Sequence, residues 1–433
     1  MAAMRIMVVA DDLTGAADTS LAFSRVGFSG AVTTSSRDVP DMLVDTEVVG
    51  LDLATRSAPS PFAYLATFGA VQRARLASAL VYNKVDSQLR GNPGVELAGA
   101  LDAWPEAVAI IAPALPAFGR TVRYGRLEGF ASAALPSLAE AFIEDTTRAV
   151  CHVSLKDLRA GSVTARLCSL PAGALVLADA EFDSDLMALV AGGRTLARPV
   201  IWVGSAGLAT HLATSLAASG ACRGTGNLPW VLGTGLQPKA NVDHGDEEVG
   251  PWAEGFLGER GVLVLVATRE PIGRTQIAAL VASENAVVTE LGVDRSEMSV
   301  WLNCELPYLR ERLAEGGVVV VCSPPADPRR AERAECARLV VQLADALMTA
   351  APPVDLVATG GETARVLLDA LGERCCRILR EVELGVPQLF TERRGLGLVT
   401  KAGSFGTEKS LVKAVAALRA WRAEELENRQ SPK

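Results

Sequence analysis

The sequence predicts an α/β fold made of two α/β domains with mostly parallel sheets. Short apolar runs recur along the 433-residue chain, and stretches with helical patterning lie between most of them. This alternation is typical of parallel sheets that are covered by helices on both faces. Hydrophobic residues make up 49% of the chain and aromatic residues only 5%, so Ala, Val and Leu must provide most of each core.

The first half contains six candidate strands, and each of them is an apolar run followed by small or polar residues. The first is RIMVVA at 5–10, directly before Asp11 and Asp12. A helix is expected next, with Thr14 as its N-cap and Gly27 just past its end. The other strands are expected at 47–51, 79–82, 108–112, 174–178 and 200–203.

The alternation stops at residues 223–260, where Gly, Pro and charged residues are frequent, and this composition indicates a linker. The pattern then resumes. Its candidate strands lie at 262–267, 286–290, 317–322, 355–358 and 396–400, and a last helix is expected at about 409–427. The predicted organisation is therefore a first domain at 1–222, a linker at 223–260 and a second domain at 261–433.

Charge, histidine and cysteine content exclude several classes of protein. The net charge of −8 disfavours nonspecific nucleic-acid binding, which needs a basic surface. Three histidines cannot build a His-rich metal site, so a carboxylate is the expected general base. The chain start lacks the apolar stretch of a secretory signal, and the uncharged segment 199–222 has too many small polar residues for a membrane span. Eight scattered cysteines without a C-x-x-C motif indicate reduced, buried thiols in a cytoplasmic protein. From the charge and the missing membrane span, neither a nucleic-acid nor a membrane partner is expected.

Polar residues follow the candidate strands of the first half, at the sheet edge where open parallel sheets bind ligands. Asp11 and Asp12 can orient hydroxyl groups, hold Mg²⁺ or accept a proton, although Asp12 could instead only cap a helix. Asp86 and Arg90 belong to a dense polar loop that suits an acidic small molecule, although a surface ion-pair cluster would look similar. The candidate catalytic residues are Asp12 and Asp86, and the candidate substrate-binding residues are Asp11, Thr14, Arg56, Lys84, Ser87, Arg90 and Arg120.

Two glycine loops in the second half follow candidate strands and precede helices. Paired glycines free backbone N–H groups to approach phosphates at a helix N-terminus, although such loops also occur where strand and helix simply pack closely. Neither a P-loop motif nor a G-x-G-x-x-G after a strand is present. The candidate nucleotide-binding residues are Thr268, Thr359, Gly360, Gly361, Glu362, Thr363, Lys401, Gly403, Ser404 and Gly406.

Seven motifs occur in order over nearly the whole chain. They are ADDLTGAAD (10–18), TRS (55–57), KVDSQLRGNPG (84–94), PALPAFGRT (113–121), GSAGLA (204–209), TGGET (359–363) and KAGSFG (401–406). Together they resemble the four-carbon acid sugar kinases, which include kinases of 3-oxo-tetronate, D-threonate and D-erythronate. This resemblance implies an amino-terminal domain that binds the sugar acid, a carboxyl-terminal domain that binds ATP, and phosphorylation of the terminal hydroxyl.

Carried over by position, the resemblance assigns residues to both ligands. The sugar-acid side would use Asp12, Arg56, Asp86 and Arg90, and the nucleotide side would use Thr268, Gly360, Gly361, Glu362, Thr363 and Gly403. The sequence departs from the family pattern at Gln88, where the family has Thr, and at Ser404, where it has Gly. Thr268 and Thr359 replace serines and keep the hydroxyl group.

These residues suggest a mechanism for a kinase with its active site in the cleft between the two domains. Arg90, helped by Arg56 or Arg120, would bind the substrate carboxylate, and Asp12 or Asp86 would accept the hydroxyl proton. Mg²⁺, the glycine-loop amides and a lysine, either Lys84 or Lys401, would neutralise the phosphates.

Two other functions remain open at this point. They are a nicotinamide-dependent sugar-acid oxidoreductase and a non-catalytic sugar-acid sensor. The sequence does not identify the acid, and it is compatible with a homo-oligomer.

Overall fold

A computed structural model divides the chain into two compact units, residues 1–225 and 226–433. The structure describes residues 4–129, 135–143, 147–222, 260–268, 270–290, 305–323, 341–342, 344, 346, 348 and 354–430. The predicted linker at 223–260 lies outside the described residues except for Arg260, so the domain boundaries stay predictions.

The first unit is built on a parallel sheet of eight strands with the order β2-β3-β1-β4-β10-β5-β9-β8. Its strands are β1 Ile6–Ala10, β2 Gly30–Thr33, β3 Val48–Asp52, β4 Leu80–Lys84, β5 Val108–Ala112, β8 Val150–Val153, β9 Leu175–Ala178 and β10 Val200–Gly204. A separate antiparallel hairpin consists of β6 Thr121–Arg123 and β7 Arg126–Glu128. The predicted parallel α/β fold is therefore confirmed in this half.

The helices of the first unit follow the strands as predicted. They are α1 Leu13–Ser24, α2 Val39–Asp45, α3 Ser60–Leu76, α4 Pro93–Ala103, α5 Leu138–Phe142, α6 Leu155–Arg159, α7 Val163–Cys168, α8 Asp183–Gly193 and α9 Ala206–Ala218. All five residues of β1 are buried, because helices cover both faces of the central strands. This burial explains why β1 has a continuous apolar sequence rather than an alternating one.

The position of β1 in the sheet determines where a ligand can bind. β1 pairs with β3 on one side and with β4 on the other, so the strand order reverses beside it. Ala10 is in register with Asp52 and with Lys84, and the loops that follow these three strands therefore start at the same level. In an open parallel sheet, such a reversal leaves a crevice at the carboxyl ends of the strands.

The second unit has a mixed sheet with the order β12-β13-β11-β14-β17-β16-β15. Its strands are β11 Val262–Val266, β12 Val287–Glu290, β13 Val318–Cys322, β14 Asp355–Thr359, β15 Cys375–Glu383, β16 Val386–Thr391 and β17 Gly397–Lys401. Its described helices include α10 Pro271–Glu284, α11 Leu306–Ala314, α12 Gly361–Ala370 and α13 Ser410–Gln430. The first five strands of this order are parallel, and β16 runs antiparallel to both of its neighbours, β17 and β15.

Two local expectations were wrong. The N-cap of α1 is Asp12 rather than Thr14, because Asp12 Oδ1 accepts a hydrogen bond of 2.7 Å from Gly15 N, whereas Thr14 lies inside the helix. The six cysteines in the described residues are free thiols, but only Cys322 and Cys376 among them are buried. Among the described helices, none is both long and apolar enough to cross a membrane.

Candidate functional site

Arg56 joins the two aspartates that follow β1. Its guanidinium donates two hydrogen bonds to Asp11, from Nε to Oδ2 at 2.7 Å and from Nη2 to Oδ1 at 2.8 Å, and a third to Asp12 Oδ2. Because β1 and β3 are parallel neighbours that end at the same level, their loops place these side chains together. Burial opposes the charge of Arg56, but Asp12 and Asp11 outweigh it and raise the pKa of the guanidinium. Arg56 therefore acts as a clasp that holds the two carboxylates together.

Asp86 forms a second ion pair in the loop that follows β4. Arg90 binds it through Nε at 2.8 Å and Nη2 at 2.7 Å, and the amides of Gln88 and Arg90 donate to Oδ2 at 3.0 and 3.3 Å. Arg56 Nη2 lies 3.9 Å from Asp86 Oδ1 and connects the two ion pairs. Burial would raise the pKa of Asp86, but the bonds from Arg90 and the nearby cations hold it well below its usual range. Asp86 is therefore an ionised anchor for Arg90.

Arg120 and Lys84 complete the cationic side of this cluster. Arg120 Nη1 donates to the hydroxyl of Ser87, and burial lowers the pKa of its guanidinium while Asp86 opposes that effect. Lys84, the last residue of β4, is buried beside the first turn of α1. A Cβ at position 15 would lie 2.7 Å from Asp12 Oδ1 and 3.0 Å from Lys84 Nζ, so only glycine leaves room there for both groups. Thr14 is buried in the same turn.

The sequence analysis missed Asp18, a buried acid on α1 that lies one turn beyond this cluster. Its side chain is 8% exposed. Burial is the main reason that its pKa is raised to about 6, and Lys84 and Arg25 partly oppose that effect. Asp18 is the last residue of the ADDLTGAAD motif, but the motif alone does not show that this face of the helix is buried under the site.

Replacing Asp18 by asparagine should change the pH dependence of folding. A raised folded-state pKa means that the wild-type protein loses stability as the pH rises from about 4 through about 6. Asparagine has the shape of the neutral acid and cannot ionise, so the stability of Asp18→Asn relative to wild type should grow by about 2.5 kcal/mol between pH 4 and pH 8. Urea unfolding of both proteins at the two pH values measures this difference, and a difference that does not change with pH would contradict the prediction.

In the second unit, three loops converge at the carboxyl ends of β11, β14 and β17. Val266, Thr359 and Lys401 are in register, so these loops start at one level. Gly360 has a φ of 95° and donates its amide to Lys401 O at 2.8 Å. A Cβ at Gly403 would lie 2.4 Å from Thr268 Oγ1, so the loops after β11 and β17 touch at the end of β14, which lies between them. The glycines there leave backbone amides at the N-terminus of α12, an arrangement suited to phosphate.

The other nucleotide-site candidates divide into exposed and supporting residues. Glu362 and Ser404 are exposed at this edge, whereas Gly361 and Thr363 are buried in the first turn of α12. Thr359 is buried and donates to Leu265 O at 3.3 Å, so its hydroxyl joins β14 to β11.

Lys401 is fully buried and supports the loop that follows β17. It donates from Nζ to Ala402 O at 3.0 Å and to Gly403 O at 3.5 Å, and burial lowers its pKa to about 8. Thr359 and Lys401 therefore support the loops from inside the fold.

Two further supports of the β17 loop were not predicted. Gln276 on α10 is fully buried and donates from Nε2 to Phe405 O at 3.3 Å and to Thr407 O at 2.9 Å. Glu383, at the end of β15, accepts bonds from Ser410 and from Lys413 Nζ. A Cβ at Gly406 would lie 2.6 Å from Glu383 Oε1, so this acid packs directly against the loop. Both residues come from elements whose sequence carries no glycine motif.

The acidic side chains fit a metal ion poorly. Within the described residues, no group of three or more His, Cys, Asp or Glu side chains could hold a metal ion. In the first unit, the oxygens of Asp11 and Asp86 are bonded to guanidinium groups rather than directed at an open site. Mg²⁺ commonly binds through substrate phosphates and keeps several waters, so a dedicated protein cage is not required.

Comparison with known proteins agrees with this division of sites. Family models match a sugar-binding N-terminal domain at residues 6–212 and a nucleotide-binding C-terminal domain at 263–411. A D-threonate kinase from Bordetella bronchiseptica is 30% identical over 96% of this chain and 97% of its own length. A 3-oxo-tetronate kinase from Methylobacterium radiotolerans is 29% identical over 92% of this chain and 95% of its own length. A solved Haemophilus influenzae structure, 20% identical with a TM-score of 0.64 over 95% of this chain and 100% of that chain, shares the fold.

The fold and these relatives define a phosphotransferase that acts on an alcohol group. The chain belongs to the four-carbon acid sugar kinase family. The resemblance found in the sequence is thereby confirmed, and the oxidoreductase and sensor alternatives are set aside.

Proposed function

We propose that this protein transfers the γ-phosphoryl group of ATP to the terminal hydroxyl of a four-carbon sugar acid. The observation that carries this proposal is the cluster in which Asp11, Asp12 and Asp86 lie among the cations Arg56, Arg90 and Arg120. It combines anions that bind hydroxyl groups with guanidinium groups that bind a carboxylate. D-threonate is the first acid to test, because two relatives that are 30% identical to this chain are named D-threonate kinases.

Within this proposal, Arg90 and Arg120 bind the substrate carboxylate. The Arg90 side chain is 45% exposed and already binds one carboxylate, Asp86, in a bidentate manner. Arg120 comes from the loop after β5 and contacts the same segment through Ser87. Arg56 already donates hydrogen bonds to Asp11 and Asp12, so its proposed role is to hold those two acids in position.

Asp12 is the proposed base for the hydroxyl proton. Asp86 accepts four hydrogen bonds and its pKa is held low, both of which weaken it as a proton acceptor. The Asp12 side chain is 13% exposed, compared with 8% for Asp86 and 3% for Asp11. Asp12 accepts two hydrogen bonds, from Gly15 N and from Arg56, so it is less fully engaged than Asp86.

The proposed nucleotide site is the group of loops after β11, β14 and β17. The Gly360 amide already donates to Lys401 O, so the amides at the start of α12, from Gly361 onward, would bind phosphate oxygens. The exposed Ser404 and Glu362 lie beside them. Mg²⁺ would enter with the phosphates and neutralise their charge, and the exposed Glu362 is a candidate carboxylate for it. A cytoplasmic location, a homo-oligomer and a cleft that joins both sites remain predictions.

An ADP-release assay tests the proposed function directly. The purified protein is mixed with ATP, Mg²⁺ and, in separate reactions, D-threonate, D-erythronate or 3-oxo-tetronate. We expect ADP release to depend on at least one of these acids, and ³¹P NMR of the product should show a phosphate ester on the terminal carbon. ADP release that is the same with and without every acid would overturn the proposal.

A further inference from the structure

A buried glutamate on α4 contacts the loop that carries Arg56. Glu96 lies in the first turn of α4, is 3% exposed and accepts a hydrogen bond of 2.5 Å from Thr55 Oγ1. Thr55 directly precedes Arg56, the residue that clasps Asp11 and Asp12. Glu96 is thus connected through one hydroxyl group to the loop that carries the clasp.

The start of α4 holds this loop at several points. Asn92, the N-cap residue of α4, donates from Nδ2 to Thr55 O and Ala58 O, both at 3.0 Å. On the other side of the loop, the amides of Thr55 and Arg56 both donate to Asp11 O, at 3.1 and 3.3 Å. The backbone at Arg56 is therefore fixed between α4 and the end of β1. Among the bonds that join this loop to α4, the Thr55–Glu96 bond is the one that uses a side chain of the loop.

We infer that Glu96 is a positioning residue for the sugar-acid site, where it holds the Thr55–Arg56 loop in place as a neutral carboxylic acid. This inference rests on the proposed function only in its assumption that the clasp serves a sugar acid. Glu96 and Asp11 are neighbouring acids in one buried region. Arg56 gives Asp11 two charged hydrogen bonds, whereas Glu96 accepts a hydrogen bond only from the Thr55 hydroxyl. If only one of these two acids is ionised, the negative charge is therefore more stable on Asp11 than on Glu96.

The groups around Glu96 agree with this assignment. Burial raises the pKa of Glu96 to about 8, the Asp11 charge adds to the increase, and the Thr55 hydroxyl, Arg56 and Lys84 oppose it. The helices α3 and α5 also pack on α4. Their buried residues, Ala63, Thr67, Ala70, Val71 and Ala74 of α3 and Leu138 and Phe142 of α5, carry no titratable group. Above pH 8, an ionised Glu96 would compete with Asp11 for Arg56 and would repel an anionic substrate.

Hydrogen exchange in the ligand-free protein tests the positioning role. At pH 7, Glu96→Leu and Thr55→Val should speed exchange of the Thr55 and Arg56 amides about tenfold or more, because the loop loses its anchor. Glu96→Gln keeps an acceptor for the hydroxyl and should remain within about twofold of wild type. Glu47→Gln is the matched control, since Glu47 is also buried but bonds Ser29 at the other end of the sheet. Unchanged exchange in Thr55→Val would overturn the role, even if Glu96→Leu failed to fold.

Titration calorimetry with D-threonate at pH 7 and pH 9.5 tests the neutral state. Wild type and Glu47→Gln should lose about tenfold in affinity at the higher pH as Glu96 ionises. Glu96→Gln cannot ionise and should lose much less, whereas an equal loss would overturn the inference. If wild type binds no four-carbon acid, the proposed substrate is wrong, and the exchange experiment still decides the role of Glu96.

Discussion

Replacing Asp12 by asparagine is expected to lower kcat for phosphoryl transfer by about 10²- to 10⁴-fold, the usual range for loss of a general base. Asparagine is as good an N-cap as aspartate, so the bond to Gly15 N and the start of α1 should survive. That bond uses the single oxygen of asparagine, so the Arg56 bond to Oδ2 is lost, but Arg56 keeps both of its bonds to Asp11. Asparagine cannot take the hydroxyl proton. Steady-state ADP release at saturating D-threonate and ATP measures the effect.

The matched variant Asp86→Asn should behave differently. Asparagine offers one acceptor oxygen instead of two, so Arg90 loses its bidentate anchor and the carboxylate-binding geometry is disturbed. We therefore expect a raised KM for the sugar acid with a smaller fall in kcat than in Asp12→Asn. If Asp86→Asn instead showed the greater loss of kcat, Asp86 would be the base and the assignment to Asp12 would be wrong.

The strands that were predicted correctly share one physical property. β1, β5 and β11 are buried on both faces, so their sequences are continuous apolar runs with boundaries within a residue of the prediction. The antiparallel pair β15 and β16 was missed. β15 has the sequence CCRILREVE and is mostly half-buried, so it lacks the apolar run that marks a central parallel strand. β2 was missed because its run has only four residues.

The candidate site was predictable as far as it depends on the ends of parallel strands. Asp11, Arg56 and Asp86 follow β1, β3 and β4, and the register of these neighbouring strands brings them together. The pairing of one guanidinium with two aspartates depends on side-chain conformations that no spacing encodes. Glu96 was missed for a different reason. A glutamate in a first helical turn is usually solvated, and only the packing of α4 shows that this one is buried.

Adding a methyl group at Gly403 is expected to weaken ATP binding about tenfold or more without affecting the sugar-acid site. The new Cβ would lie 2.4 Å from Thr268 Oγ1 and 3.0 Å from Thr268 Cβ, so the loops after β11 and β17 would have to move apart. Their separation would shift the amides that are proposed to bind phosphate. Titration calorimetry of Gly403→Ala with ATP–Mg²⁺, and separately with D-threonate, measures the two affinities.

Gly69→Ala provides the control for this experiment, because it adds the same methyl group where there is room. Gly69 lies within α3, and its new Cβ would approach only Arg73 Nη1, at 3.2 Å, which is the end of a flexible side chain. Alanine is favoured over glycine inside a helix, so this variant should bind both ligands like wild type. If Gly403→Ala bound ATP with wild-type affinity, the loops around Thr268 and Gly403 would not form the phosphate site. Loss of D-threonate affinity as well would show that the substitution disturbs more than the second unit.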